Sequence, residues 1–157
     1  MNIQLIPLLD FPYEFRMKTR EWRNSAQVSP YFKIKHINQE THARWLEHLD
    51  QQIPRTIAYV ICYNDRHVGL TYMHSISREN GYADWGIYIH DPACRGKGVG
   101  KFTLQVCKEI ARKQLGLHTL YLDVLKTNHA AVRLYESCNF VYQEDEEDGF
   151  ARYMCKL

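Results

Sequence analysis

Residues 95–100 read Arg-Gly-Lys-Gly-Val-Gly, and Asp91-Pro92 places a turn just before them. Upstream, "YADWGIYIH" alternates with the two-residue period of a strand. Downstream, Val99, Phe102, Val106 and Ile110 fall at the spacing of one helical face. The chain must therefore pass from strand to helix through alternating glycines. The first amides of a helix lack intrahelical partners and carry partial positive charge. Glycines let that backbone approach a ligand closely, and Arg95, Lys97 and Lys101 add full charges. The combination suits a phosphate-bearing ligand. The segment is not a P-loop, because Phe102 follows Gly100-Lys101 and Arg95 stands at the first glycine. Nor is it a GxGxxG dinucleotide loop, since Lys101 occupies the third glycine position.

The rest of the chain supplies the framework around this junction. "IQLIPLL" predicts a first strand, with Asp10 able to cap the helix that follows and Pro12 in its first turn. Phe11, Phe15 and Trp22 recur at helical spacing, and Pro30 disfavours helix at Ser29. Asn38 can cap a second helix whose stripe is Trp45, Leu46 and Leu49. From residue 56 the period changes to two. "TIAYVICY", "HVGLTYMHSI" and "YADWGIYIH" predict three strands of an antiparallel meander, with a turn at Asn64-Asp65. The long helix ends at Gly116, "HTLYLDVL" is a strand, Asn128 caps a short helix, and Asp148-Gly149 turns a closing hairpin. The expected order is β-α-α-β-β-β-α-β-α-β-β in a single domain spanning residues 1–157, with no repeat or linker.

Composition sets the bounds. Hydrophobic residues make up 45% and charged residues 24% of 157, enough for a packed core. The net charge of +2 gives no ground for a nucleic-acid partner, and no stretch is long and apolar enough to span a membrane. "MNIQLIPLLD" has no basic leader or cleavage site and reads as structure. The five cysteines form no CxxC pair, which reads as reduced thiols and a cytoplasmic protein. The scattered histidines complete no metal-ligand spacing, so no metal is expected.

The R-x-x-G-x-G pattern of Arg95, Gly98 and Gly100 resembles the pyrophosphate loop of the GNAT family of N-acetyltransferases. A second stretch, "NHAAVRLYESCNF", resembles the family's N-x-x-A-x-x-x-Y-x-x-x-G-F through Asn128, Ala131, Tyr135 and Phe140. Asn139 replaces the usual glycine, and Asn tolerates the left-handed backbone that site requires. The resemblance covers residues 56–157 well and the first third only in layout.

It implies an α+β fold: a mixed, mostly antiparallel sheet flanked by helices, with acetyl-CoA as co-substrate. It places the pyrophosphate on Arg95, Gly96, Lys97, Gly98, Val99, Gly100 and Lys101. The pantetheine arm falls along the backbone of Ile87, Tyr88 and Ile89, beside Asn128 and Tyr135. Gly86 in mid-strand is then expected to mark a bulge or a close ligand approach. Tyr135 becomes the acid near the sulfur; a phenol at about pKa 10 against a thiol near 8.5 makes full transfer uphill by roughly 2 kcal/mol. The base is open between Asp84, Asp123 and a water relay, with His74 and His90 the remaining groups. A structural role for Asp123, bonding backbone groups where the strands splay, stands equally open.

The first helices, through "REWRNSAQVSPYF" and "INQETHARWLEHL", resemble acetyltransferases that modify amino sugars on UDP, those of pseudaminic acid synthesis among them. That implies a small-molecule amine acceptor. Trp22, Arg23, Asn24 and Tyr31 are the substrate-binding candidates, and Arg20, Arg23 and Lys33 suit a second diphosphate. Core packing is the competing role for Trp22 and Trp45. Protein N-termini, a small amine or antibiotic, and a non-catalytic acetyl-CoA-binding module stay open as alternatives, and the family admits a homodimer. The acidic "EDEED" would draw a cationic acceptor instead.

Overall fold

Asn64 and Asp65 adopt φ of 48° and 66°, the consecutive left-handed residues of a two-residue hairpin turn. They join β2 (Ile57–Tyr63) to β3 (Arg66–Ser77), and β4 (Tyr82–Ile89) completes the meander. This computed structural model describes residues 2–157. Before the meander come β1 (Ile3–Pro7), α1 (Tyr13–Asn24) and α2 (Gln39–Leu49). After it come α3 (Val99–Glu109), β5 (Thr119–Leu125), α4 (His129–Ser137), β6 (Val141–Asp145) and β7 (Phe150–Lys156). The order is the one the sequence predicts.

The seven strands form one sheet in the order β1-β2-β3-β4-β5-β7-β6. Every neighbouring pair is antiparallel except β4 and β5, which run parallel. That pair is short. Tyr82, Ala83 and Asp84 face Thr119, Leu120 and Tyr121, and beyond them the strands part.

Alternation along β4 sends neighbouring side chains to opposite faces. Trp85 joins Leu104, Cys107, Leu122 and Tyr135 in a core against α3 and α4, whereas Tyr88 joins Val60, Leu70, Leu46 and Leu49 in a second core under α1 and α2. The five cysteines are free and buried. No helix among the described residues is long and apolar enough to cross a membrane, and no cluster of His, Cys, Asp and Glu there is arranged to hold a metal ion.

Local chemistry explains most boundaries. The Asn38 side chain accepts from the Thr41 amide at 2.8 Å to start α2, and Asn128 accepts from Ala131 at 3.3 Å to start α4. Asn139 takes φ of 71° where α4 ends, and Asp148 and Gly149 take 59° and 80° at the last turn. Asp10 does not cap α1; it lies in a 3-10 turn over Leu8–Asp10, and Pro12 holds the cap position. Phe11 therefore lies outside the helix and stacks on Phe15 at 4.2 Å. Ser29–Tyr31 is a 3-10 turn with Pro30 in it.

The α3 face and the bulge at Gly86 also differ from expectation. The buried face of α3 is Val99, Thr103, Leu104 and Cys107, while Phe102 stays 38% exposed. Small side chains at 103 and 107 let the helix lie close on the sheet, where Cys107 Sγ is 3.6 Å from Thr71 Oγ1. Gly86 is also not a bulge. Its cross-strand partner Tyr72 lays its ring over the position, and a Cβ there would overlap that ring.

Candidate active site

Asp91 accepts from the Ala93 amide at 3.0 Å and pairs with Arg66, which fixes the chain as it leaves β4. The backbone then turns through Gly96 and Gly98, at φ of 72° and 80°. Gly98 is the N-cap of α3 and offers no side chain to its amides. The Phe102 amide is bonded back to the Gly98 carbonyl at 3.0 Å. The amides of Val99, Gly100 and Lys101 precede it in the first turn and point out of the helix. A Cβ at Gly100 would lie 3.1 Å from Leu134 Cδ2, so glycine lets α3 and α4 approach. Lys97 and Lys101 are exposed beside these amides. Arg95 lines the same space as Gly100, and its Nη2 donates to the carbonyls of Gln27 at 2.7 Å and Ile89 at 3.2 Å. It ties the loop to the segment between α1 and α2.

The parting of β4 and β5 opens two adjoining cavities. One, of about 260 Å3, runs from Gly100 and Arg95 past Ile87, Tyr88 and Ile89 to Ala131 on α4. The other, of about 360 Å3, continues on to Asp84, Asp123 and His74. Tyr135, Asn128, Ile87, Tyr31 and Phe32 line both. Asn128 thus serves as helix cap and cleft wall together. Tyr135 is buried edge-on against Trp85, with ring centroids 5.8 Å apart. Burial pushes its phenol well above the ordinary tyrosine range, so it stays protonated at neutral pH and can donate a hydrogen bond into the cleft.

Asp84 and Asp123 meet at the rim of the larger cavity, held by Arg152 on β7. Its Nη2 is 2.7 Å from Asp84 Oδ1 and its Nη1 3.1 Å from Asp123 Oδ1. Lys33 adds pairs to Asp123 at 3.3 Å and Glu146 at 3.2 Å. Partial burial raises the Asp123 carboxyl, but the hydrogen bond to Glu146 and the charges of Lys33 and Arg152 outweigh it and hold it below the usual carboxylate range. Glu146 is held above that range, chiefly by its hydrogen bond to Asp123. Ion pairing makes Asp123 a weak base.

The substrate-binding candidates separate. Tyr31 and Arg23 line the larger cavity. Trp22 does not; it stacks on His90 at 4.3 Å and packs edge-on to Phe15. Asn24 clamps the Ile37 backbone through two 2.8 Å hydrogen bonds, and Arg20 donates to the Ile37 carbonyl at 3.1 Å. Asn24 and Arg20 hold the segment after α1, Trp22 packs between Phe15 and His90, and none of the three lines the cleft. Lys33 is spent on carboxylates, so no set of Arg20, Arg23 and Lys33 converges on a diphosphate. The Tyr88 ring turns into the second core, which leaves its backbone to face the cleft. His74 lies in the cleft and His90 does not. Sequence reasoning missed Arg152 and Tyr72. The signal for Tyr72 was Gly86 itself, an aromatic residue commonly covering a strand glycine from across the sheet.

The site therefore offers bare helix-start amides with two lysines, a slot along a strand edge, and a buried phenol where the slot widens. A long carrier with an anionic head and a reactive thioester end fits that arrangement. The family model described as Acetyltransferase (GNAT) matches residues 16–140. "Acetyltransferase PseH" of Campylobacter jejuni is 27% identical over 135 residues, 86% of this chain and 81% of that protein. The crystal structure of C. jejuni N-acetyltransferase PseH in complex with acetyl coenzyme A superposes with a TM-score of 0.73 at 22% identity, covering 99% of both chains. A Vibrio cholerae spermidine N-acetyltransferase in complex with CoA and spermine gives 0.81 at 20% identity, covering 98% and 95%. The chain belongs to the acetyltransferase (GNAT) family and is an acetyl-CoA-dependent N-acetyltransferase.

Proposed function

We propose that this protein acetylates the amino group of a nucleotide-linked amino sugar. Acetyl-CoA supplies an activated acyl group, and the chain's own residues do the rest. The amides of Val99, Gly100 and Lys101, with Lys97 and the Lys101 side chain, hold the diphosphate. The strand edge at Ile87–Ile89 orients the arm, and a backbone N–H there stabilises the oxyanion. Tyr135 donates a hydrogen bond to the departing sulfur, which matures into proton transfer as negative charge builds. Asp84, with one carboxylate oxygen paired to Arg152, orients the incoming amine through the other, and the amine's proton leaves through water.

The observation that carries this reading is that Tyr135 and Ile87 line both cavities. A thioester threaded from the loop end reaches the larger cavity at the phenol. The sugar acceptor is favoured over a polyamine by the rim: Lys33 and Arg152 already occupy Asp84, Asp123 and Glu146, which leaves little negative charge for a polycation.

The test is free thiol released from acetyl-CoA, measured against UDP-linked 4-amino sugars, spermidine and peptides with free N-termini. Turnover on the UDP-amino sugars at least tenfold above the others supports the reading. Preference for spermidine or peptides replaces the acceptor, and binding of acetyl-CoA with no turnover on any amine replaces the enzyme by a binding module.

A further inference from the structure

Arg23 closes α1 with a charge that no carboxylate pairs among the described residues. Its Nη2 donates to the Ile34 carbonyl at 2.7 Å, and its guanidinium lies 3.9 Å over the Phe32 ring. Its Nη1 is buried and has no hydrogen-bond partner. Arg23 as a whole is half-buried, but an unmet buried donor on a cation costs more than one on a neutral group, which calls for an acceptor at Nη1. Burial pulls the Arg23 pKa down despite the nearby phenols of Tyr72 and Tyr88.

Arg23 and Tyr72 form the wall between the larger active-site cavity and a third one, of about 190 Å3. This third space lies between α1, α2 and β3–β4. Trp45, Tyr72 and Tyr88 give it aromatic sides, and Leu70 and Ile37 add aliphatic surface. Trp45 and Tyr72 meet edge-to-face with centroids 6.4 Å apart. His42 is held in place through Nε2, 2.9 Å from the Arg16 carbonyl and 3.2 Å from Thr19 Oγ1. Thr41, on the exposed side of α2, stands at the edge. An apolar cavity of about 150 Å3 accommodates benzene, so this one is the size of one substituted six-membered ring.

We propose that the third cavity is a subsite for a flat six-membered ring bearing a carbonyl or carboxylate oxygen, which accepts the unused Arg23 Nη1–H. The assignment deepens the acceptor reading above and rests on it for the amine end of the ligand. The pyrimidine of a nucleotide-linked sugar has this chemistry, and so does a carboxylated aromatic amine. A ring held here directs the rest of the molecule past Arg23 and Tyr72 into the cavity lined by Tyr135.

The experiment uses the full chain without acetyl-CoA, so its failure leaves acetyl transfer itself untouched. Uridine, benzoate and benzamidine are titrated while the Trp45 indole N–H is followed by NMR. Uridine or benzoate should shift that signal saturably and bind at least tenfold more tightly than benzamidine, whose amidinium offers Arg23 no acceptor. Tighter uridine marks a nucleobase; tighter benzoate marks a carboxylated ring. Arg23→Met should weaken the preferred probe at least tenfold. Thr41→Phe, a change at an exposed position that fills the cavity, should do the same and carries the test if Arg23→Met fails to fold. The inference is overturned if neither probe moves Trp45, if benzamidine binds as tightly, or if the folded variants bind like the parent.

Discussion

The ring of Tyr72 fills the space that a side chain at Gly86, its cross-strand partner, would need. Gly86 lies two residues past the last β4–β5 pair, and both residues line the larger cavity. Overpacking of this kind costs about 1–3 kcal/mol. Gly86→Ala should therefore lower the melting temperature by several degrees, roughly 2–4 °C per kcal/mol at this chain length. Gly86→Ala combined with Tyr72→Ala should lose less than the sum of the single changes, which thermal melts of all three variants will show.

Tyr135→Phe removes only the hydroxyl from a ring packed on Trp85. The fold should survive, and kcat should fall by roughly 10²-fold or more if the phenol acts as acid. KM for acetyl-CoA should change little. Steady-state kinetics with a good amine check this, and an unaltered kcat takes Tyr135 out of the chemistry.

Gly98→Ala puts a side chain where φ is 80°. A left-handed backbone costs a non-glycine residue about 1–2 kcal/mol. The start of α3 should shift to relieve it, moving the exposed amides. The expected result is a raised KM for acetyl-CoA with a smaller effect on kcat.

Arg152→Met leaves Asp84 and Asp123 without their shared cation. The Asp123 carboxyl is held low in the folded protein, so its contribution to stability is present above the ordinary carboxylate pKa and is lost as pH falls through the lowered value. Unfolding midpoints in denaturant should drop for the parent as pH goes below about 4. Part of that drop should vanish in Arg152→Met, which starts from a lower midpoint at pH 7.

His42 and His90 both have pKa values pulled down by burial. In the window between the lowered values and about 6.5, the unfolded chain binds more protons than the folded one. Stability is therefore complete above about pH 6.5 and declines on acidification toward pH 5. His42→Gln should flatten that slope in thermal melts between pH 7 and pH 5.

What was legible in the chain was local. Asn64-Asp65, Asn38, Asn128, Asn139 and Asp148-Gly149 each act on backbone within a few residues, and each does so as its residue type predicts. The face of α3 was not legible. Large apolar residues at 102, 106 and 110 outweighed Thr103 and Cys107 in a periodicity argument, whereas packing on a sheet rewards the small pair. The covering of Gly86 was not legible for a related reason: its neighbour Tyr72 is fourteen positions away and meets it only across the ladder.

Sequence alone determined the strand–glycine–helix junction, the order of elements and the helix bearing Tyr135, because periodicity, caps and turn residues act over short stretches of backbone. Tertiary structure decided the rest of the site. It coupled Arg152 to Asp84 and Asp123, sent Trp22 onto His90, and left Arg23 with an unused donor between two cavities. Those relationships join residues far apart in the chain, and a charge or a ring finds its partner only when the sheet has brought the strands together.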